Sequence, residues 1–202
     1  RSTSADGRYV LFLDRGREAQ LIDRLSGELV SKSSSRVNEG STRVDMAGGF
    51  AYVADSKGLH LLGKSERNRD VARYFRLRRQ DSVELFAAIE SGAFAGCAVI
   101  ITKSGKAMLA VPGQSKLKKL ALKGETPSLK VDAGAVLSRP GPDGQFVFSS
   151  DGYSLQLIQL QGDPEEPQLA GMDGAQRLSA PIKAILPWTC LLYTSPSPRD
   201  GR

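Results

Sequence analysis

The sequence predicts an all-β fold made of four repeated, four-stranded units, and three features carry that prediction. Glycine is abundant, at 21 of 202 residues, while aromatics make up only 6%, a mix that suits short strands and tight turns better than long helices. Four segments share one pattern: DGRYVLFLDRGREAQLID from Asp6, GGFAYVADSKGLHLLG from Gly48, AGCAVIITKSGKAMLAV from Ala95 and DGQFVFSSDGYSLQLIQLQG from Asp143. Each is a glycine, an apolar strand, a polar turn holding a second glycine, and another alternating strand, which is a hairpin signal. The leading glycines, Gly7, Gly49, Gly96 and Gly144, recur at intervals of 42, 47 and 48 residues. The second glycines, Gly16, Gly58, Gly105 and Gly152, follow them by 9, 9, 9 and 8.

Two further strands per period lie between the hairpins. The outgoing set is Leu29–Lys32, Val71–Leu77, Lys116–Leu122 and Gln168–Met172; the returning set is Thr42–Met46, Val83–Ile89, Leu129–Val136 and Lys183–Leu186. Val83–Ile89 also reads as a short helix capped at Ser82 and stopped at Gly92, and the repeat decides for strand. Four short strands in 40 to 50 residues is the arithmetic of a β-propeller blade. The expected architecture is therefore a β-propeller fragment of about four blades of four antiparallel strands, starting near residues 6, 48, 95 and 143, with a fifth begun near 177.

The strings DGRYVLFLDRG...LIDRLSGELV and GGFAYVADSKGLHLL resemble bacterial propeller repeats of the YVTN and LVIVD kind, in which a Gly-led strand meets a polar turn and then a strand reading I-D-x-x-x-G. Ile22, Asp23 and Gly27 match that ending in the first repeat; later repeats lack the Asp, and the Trp-Asp ending of WD repeats is absent. The resemblance implies a toroidal fold and no particular activity. The stretch CLLYTSPSPRD, from Cys190 to Asp200, resembles the translation of a transposon-type sequencing-library adapter. The expected organisation is thus a propeller fragment over 1–189 and a non-native tail over 190–202. Setting the tail aside leaves Cys97 as the one cysteine, placed in the apolar run AGCAVII as a small buried hydrophobe. Four blades cut from a larger ring would leave apolar outer faces meant for neighbours.

Three constellations invite a chemical reading. Gly58-Leu-His-Leu-Leu-Gly63-Lys64-Ser65 is a literal G-x-x-x-x-G-K-S, the string of a phosphate-binding loop in which Lys64 would reach the phosphates and Ser65 hold magnesium. Its inner residues are Leu, His, Leu and Leu, a half-buried strand, and the repeat places them where its sisters have KAMLAV and YSLQLIQL. The nucleotide reading requires a helix over 65–77. Asp14, Asp55 and Asp151 fall in three of the four hairpin turns, where a ring of carboxylates would suit a hard cation; the turn preference of Asp accounts for them without one. His60, the single histidine, excludes histidine zinc clusters and is assigned a structural or surface role.

The formal charge is +6 and unevenly spread. Residues 64–79 hold seven basic against two acidic residues, and 91–124 hold six lysines and no acid. Arg73, Arg76, Arg78 and Arg79, with Tyr74 and Phe75 interleaved, are the candidate partner-binding residues; a nucleic acid is the less favoured occupant, because basic residues on an outer edge strand also discourage edge-to-edge pairing. No apolar run reaches membrane-spanning length. The expected function is a non-enzymatic scaffold or recognition module for a protein or peptide, needing no cofactor, with hairpin turns and blade-to-blade loops sharing the face to inspect first. A metal-dependent propeller enzyme or small-ligand sensor is the alternative, followed by the phosphate-loop reading.

Overall fold

The computed structural model describes residues 2–4, 6–38, 43–65, 69–78, 80–123, 129–172 and 175–182. They form strands, turns and loops only. The first sheet is a meander of β1 (Ser2–Thr3), β2 (Tyr9–Leu13), β3 (Ala19–Asp23) and β4 (Leu29–Lys32). The second repeats it with β5 (Arg43–Ala47), β6 (Phe50–Asp55), β7 (Gly58–Lys64) and β8 (Asp70–Arg76), and the third with β9 (Val83–Ala88), β10 (Ala98–Thr102), β11 (Ala107–Ala110) and β12 (Lys118–Lys119). After β13 (Ala121–Lys123) comes the fourth meander, β14 (Val136–Leu137), β15 (Gln145–Ser149), β16 (Ser154–Gln161) and β17 (Gln168–Gly171). Each sheet begins one strand before the glycine that marks its repeat, so the returning strand belongs to the hairpin that follows it.

The leading glycines keep their interval for a conformational reason. Gly7, Gly49, Gly96 and Gly144 all have positive φ, between 70° and 80°, at the turn into the second strand of each sheet, where a side chain would strain the backbone. The I-D-x-x-x-G string of the first repeat is likewise a turn device. Asp23 Oδ1 accepts the amides of Leu25 (2.9 Å) and Ser26 (3.3 Å), and Gly27 takes φ 74° as the chain reverses into β4.

Three apolar cores lie between successive sheets. Leu11, Leu21, Val53 and Leu62 pack sheet one on sheet two; Tyr52, Leu59, Phe75 and Ile100 pack two on three; Val99, Leu109, Phe146 and Ile158 pack three on four. Sheets two and three are therefore covered on both faces, and β7 and β10 are buried almost end to end. In the first sheet, by contrast, Phe12, Leu13 and Leu29 are exposed.

The predicted strand Lys116–Leu122 is divided. Lys118–Lys119 pairs with β11, Leu120 is buried in the core between sheets three and four, and Ala121–Lys123 runs parallel to β17 on the fourth sheet's outer edge. Burying Leu120 carries the chain from one sheet to the next. Of the predicted Leu129–Val136 strand only Val136 is strand, as the first residue of the two-residue β14. Near the expected fifth blade, β18 (Gln176–Arg177) pairs with Ser154 and Leu155 of β16; Lys183–Leu186 and the segment 190–202 lie outside the described residues.

Gly58 and Gly63 are spaced by packing. A Cβ on Gly58 would stand 2.2 Å from the Phe75 carbonyl oxygen of the neighbouring strand, and one on Gly63 would stand 2.4 Å from the Phe50 ring. Gly58→Ala is expected to cost about 2 kcal/mol or more in urea denaturation because β7 and β8 must separate, whereas Gly16→Ala, whose nearest neighbour is the movable Asp14 side chain, should stay within about 0.5 kcal/mol of wild type.

Candidate recognition face

The hairpin turns between the second and third strands of each sheet, together with the loops that join sheets, are hydrogen-bonded into one face. Val37 N–H donates to the Arg17 carbonyl at 2.8 Å, Lys103 N–H to Ser82 at 3.0 Å, and Asp132 N–H to Ser150 at 2.9 Å. Asp81, in the loop before the third sheet, accepts Ser104 N–H (3.1 Å) and Ser104 Oγ–H (2.7 Å) from that sheet's turn. Each incoming loop is thereby fixed to a turn.

Asp55 is the most heavily engaged of these groups. Its Oδ1 accepts the amides of Lys57 (2.8 Å) and Gly58 (2.9 Å), closing its own turn. Its Oδ2 accepts the Asn38 amide (2.8 Å), Asn38 Nδ2 (2.8 Å) and His60 Nε2 (3.1 Å). Asp55 is 2% exposed and His60 0%, with the Tyr74 ring centred 4.4 Å from the imidazole. Burial pushes the Asp55 carboxyl up, but these donors outweigh it and hold the acid below its ordinary value. Burial pulls His60 below its ordinary value despite the nearby carboxylate. Nε2–H is the donor toward the carboxylate, and the buried Nδ1 has no hydrogen-bond partner, so protonating it would turn an unpaired acceptor into an unpaired donor on a charged ring.

The other candidate acids cap turns in the same way. Asp14 Oδ1 accepts Glu18 N–H (2.8 Å) and its Oδ2 accepts Gln20 Nε2 (3.2 Å). Asp151 accepts Tyr153 N–H (2.8 Å) and Ser154 N–H (2.7 Å), which lower it to about 2. Thr102 fills the equivalent place in the third sheet, where Lys106 N–H donates to its Oγ1 at 3.3 Å. Among the described residues no three His, Cys, Asp or Glu side chains gather where a metal could sit. With five donors on two oxygens, Asp55 has no lone pair left for a cation.

Gly58, Gly63 and Lys64 lie along one strand, paired with β8 from Gly58 opposite Arg76 to Lys64 opposite Asp70 and with β6 from Gly58 to Leu62. Asp70–Arg76 is strand where the phosphate-loop reading requires a helix. The amides such a loop would turn toward phosphate are spent in the ladder, and Ser65 Oγ accepts Arg69 N–H at 3.2 Å. Of the aromatics beside the candidate arginines, Phe75 is core, and Tyr74 is half-buried with its ring tilted against His60. Arg73 is exposed midway along the outer strand, Arg76 and Arg78 reach the turn face, and Arg79 lies outside the described residues. Burial pushes the Cys97 thiol up to about 11, so it stays a neutral apolar group.

Between the turns of the first two sheets lies a groove of about 680 Å³ lined by Arg15, Arg17, Arg36 and Lys57, with Val37 and Asn38 at its floor. Among the described residues no acidic side chain lines it. Sequence reasoning missed these four cations because each is isolated in the chain. The signal was positional: each falls in a turn or a joining loop, and all such segments share one face. A second concavity of about 420 Å³ at the opposite ends of the strands mixes Asp6, Arg8 and Glu90. Nearby, Arg139 pairs with both Asp45 and Glu90, so charge there is internally balanced.

Four antiparallel meanders stacked through interleaved apolar cores define a β-propeller fold. Among solved structures the chain is similar to the β-propeller domain of Cps50 (Swd1) from Myceliophteria thermophila, with a TM-score of 0.53 and 11% identity over 87% of this chain and 58% of that one. It is also similar to dihydro-heme d1 dehydrogenase NirN in complex with DHE, with a TM-score of 0.53 and 17% identity over 89% of this chain and 36% of that one. The likeness is one of fold, and the chain spans between about one third and three fifths of those structures. No family model and no curated protein matches the sequence.

Acid should unfold the protein in two stages. The folded state resists protonating His60, so stability present at neutral pH declines as pH falls below the ordinary value of 6.5; Asp55 and Asp151, both held below 3.8, add a further loss beneath about pH 4. Thermal melts across this range should show both stages in wild type. His60→Gln, which keeps a neutral donor toward Asp55, should lose the first and retain the second.

Proposed function

We propose that this chain is a recognition module that binds a protein or peptide segment on its turn-and-loop face and performs no chemistry there. The observation that carries the reading is the pairing of a hydrogen-bonded, preorganised face with a groove that presents exposed cations and, among the described residues, no acid. Preorganised loops bind without first losing the freedom of a mobile segment. Arg76 and Arg78 extend the same positive face beyond the groove.

The organisation we propose is an arc of YVTN- or LVIVD-like blades over 1–189, with 190–202 as an adapter-derived extension. Three inter-sheet cores, the apolar residues exposed on the first sheet and the Gly-led turns support it.

A peptide array of varied composition, probed with the chain tethered at low surface density, tests the reading. Wild type should retain a subset of peptides, Arg15→Glu/Arg36→Glu should lose that subset, and Lys116→Glu, in a loop at the opposite ends of the strands, should keep it. Retention lost equally in both variants, or no retention by wild type, contradicts it.

A further inference from the structure

We infer that the outer edge of the second sheet, strand β8, takes an acidic, extended peptide segment as a fifth strand. The edge is separate from the groove between the first two hairpin turns, so the inference goes beyond the recognition reading above. In an antiparallel ladder, residues bonded to the partner strand alternate with residues whose N–H and C=O groups point away from it. Leu77 N–H donates to the Lys57 carbonyl (3.0 Å) and Ser65 N–H to the Arg69 carbonyl (2.8 Å), and the register between these two bonds runs without a shift. The bonded residues of β8 are therefore Val71, Arg73 and Phe75, while the main-chain groups of Asp70, Ala72, Tyr74 and Arg76 face outward. Among the described residues no strand pairs with that side and no hydrogen bond reaches those groups. At about 3.4 Å per residue they offer a template about 20 Å long.

The other outer edges are blunted. β4 has four residues and a register shift against β3, and β12 has two residues. β17 is covered by β13, which pairs with it in parallel from Ala121 opposite Gln168 to Lys123 opposite Ala170. Short strands, bulges and covering segments are the usual protection of an edge, and β8, with seven regularly paired residues, has none of these among the described residues. β13 shows within this molecule that an outer strand accepts a further extended segment. The β8 edge is also held in place before anything binds. Phe75, 4% exposed, anchors it in the core between sheets two and three, and Ser31 Oγ donates to the Val71 carbonyl at 2.8 Å from the first sheet. An ordered template reduces the cost of binding to adding one strand.

The protection that β8 does carry is charge, and charge selects the partner. Arg69, Arg73, Arg76 and Arg78 are exposed along it against Asp70, and the whole stretch 64–79, Glu66 included, holds seven basic residues against two acidic ones. Arg73 shares its face of the strand with Phe75, and Arg76 shares the other face with Tyr74, so an added strand meets a cation on each side. Opposite charges facing each other across a ladder stabilise it and like charges destabilise it. A basic strand is repelled, whereas one with two acidic residues three apart matches both arginines. Alternating N–H donors and C=O acceptors fit a peptide backbone; a phosphate backbone supplies acceptors alone.

The test uses the full chain tethered at low surface density and a peptide of about ten Thr and Val residues, long enough to span the edge, with two Glu three apart. Its Gln counterpart and the same acidic sequence N-methylated at the two central amides, which keeps the charge and blocks the ladder, complete the probes. The acidic peptide should bind best, and N-methylation should weaken it about fivefold, as loss of a main-chain hydrogen bond implies. Ala72→Pro removes one outward N–H and leaves the bonds to β7 intact, which an edge strand tolerates; it should weaken binding about fivefold. Arg73→Glu, which leaves the backbone as it is, should weaken the acidic peptide about fivefold and spare the Gln counterpart. Arg15→Glu/Arg36→Glu should leave all of this binding unchanged, so failure here is distinguishable from failure of the groove reading. Equal binding of the N-methylated peptide, or full affinity in Ala72→Pro, overturns strand addition. Equal binding of the Gln counterpart, or full affinity in Arg73→Glu, overturns the acidic assignment. Retention of no probe overturns the inference, and self-association of the free chain that Ala72→Pro abolishes would then assign the edge to a second copy.

Discussion

The face of this propeller depends on one carboxylate. Asp55 gathers five donors from its own turn, from the third strand of its sheet and from the loop arriving from the preceding sheet. A buried carboxylate is costly unless satisfied this completely, and here the satisfaction joins the hairpin that carries the acid to a loop 17 residues away in sequence. The burial of His60 follows from it: the imidazole is tolerated beneath the surface because its Nε2–H has a negatively charged acceptor and its ring rests against Tyr74. The groove floor follows too, since Asn38 is held by the same acid and Arg36 stands two residues earlier.

Function and stability are carried by different layers of the molecule. The inter-sheet cores are apolar and would suit any propeller, while the hydrogen-bonded turns, apart from loop residues such as Val37 that reach into a core, set where exposed side chains stand. The two layers meet at Gly58, whose amide caps Asp55 and whose missing side chain lets β8 approach. That double role explains the glycine that opens a strand carrying Leu59, Leu61 and Leu62, and it is why a string of phosphate-loop form serves as a strand.

The repeat was legible because its punctuation is conformational. Four leading glycines with positive φ cannot drift without strain, so the period survived where strand sequences diverged. Val83–Ala88 is strand as the repeat required, although its local sequence also suits a helix. Less legible was the outer edge. Nothing in KLKKLAL announces that Leu120 will be buried and divide the run between two sheets, because that depends on a neighbouring blade's packing. The charge of the site was hidden for a related reason: the dense basic runs lie on outer strands, whereas the groove is assembled from four cations spread over two turns and a joining loop. Asp14, Asp55 and Asp151 were placed correctly in turns by their residue type, yet the extra donors that single out Asp55 come from tertiary contacts.

Amide hydrogen exchange in wild type and Asp55→Ala tests most directly whether that carboxylate organises the face. If it does, protection at Asn38, Lys57 and Gly58 will fall together in the variant while β10 and β15, which belong to the third and fourth sheets, stay protected. Loss confined to Lys57 and Gly58, with Asn38 still protected, would show that the joining loop is held independently and would contradict the account.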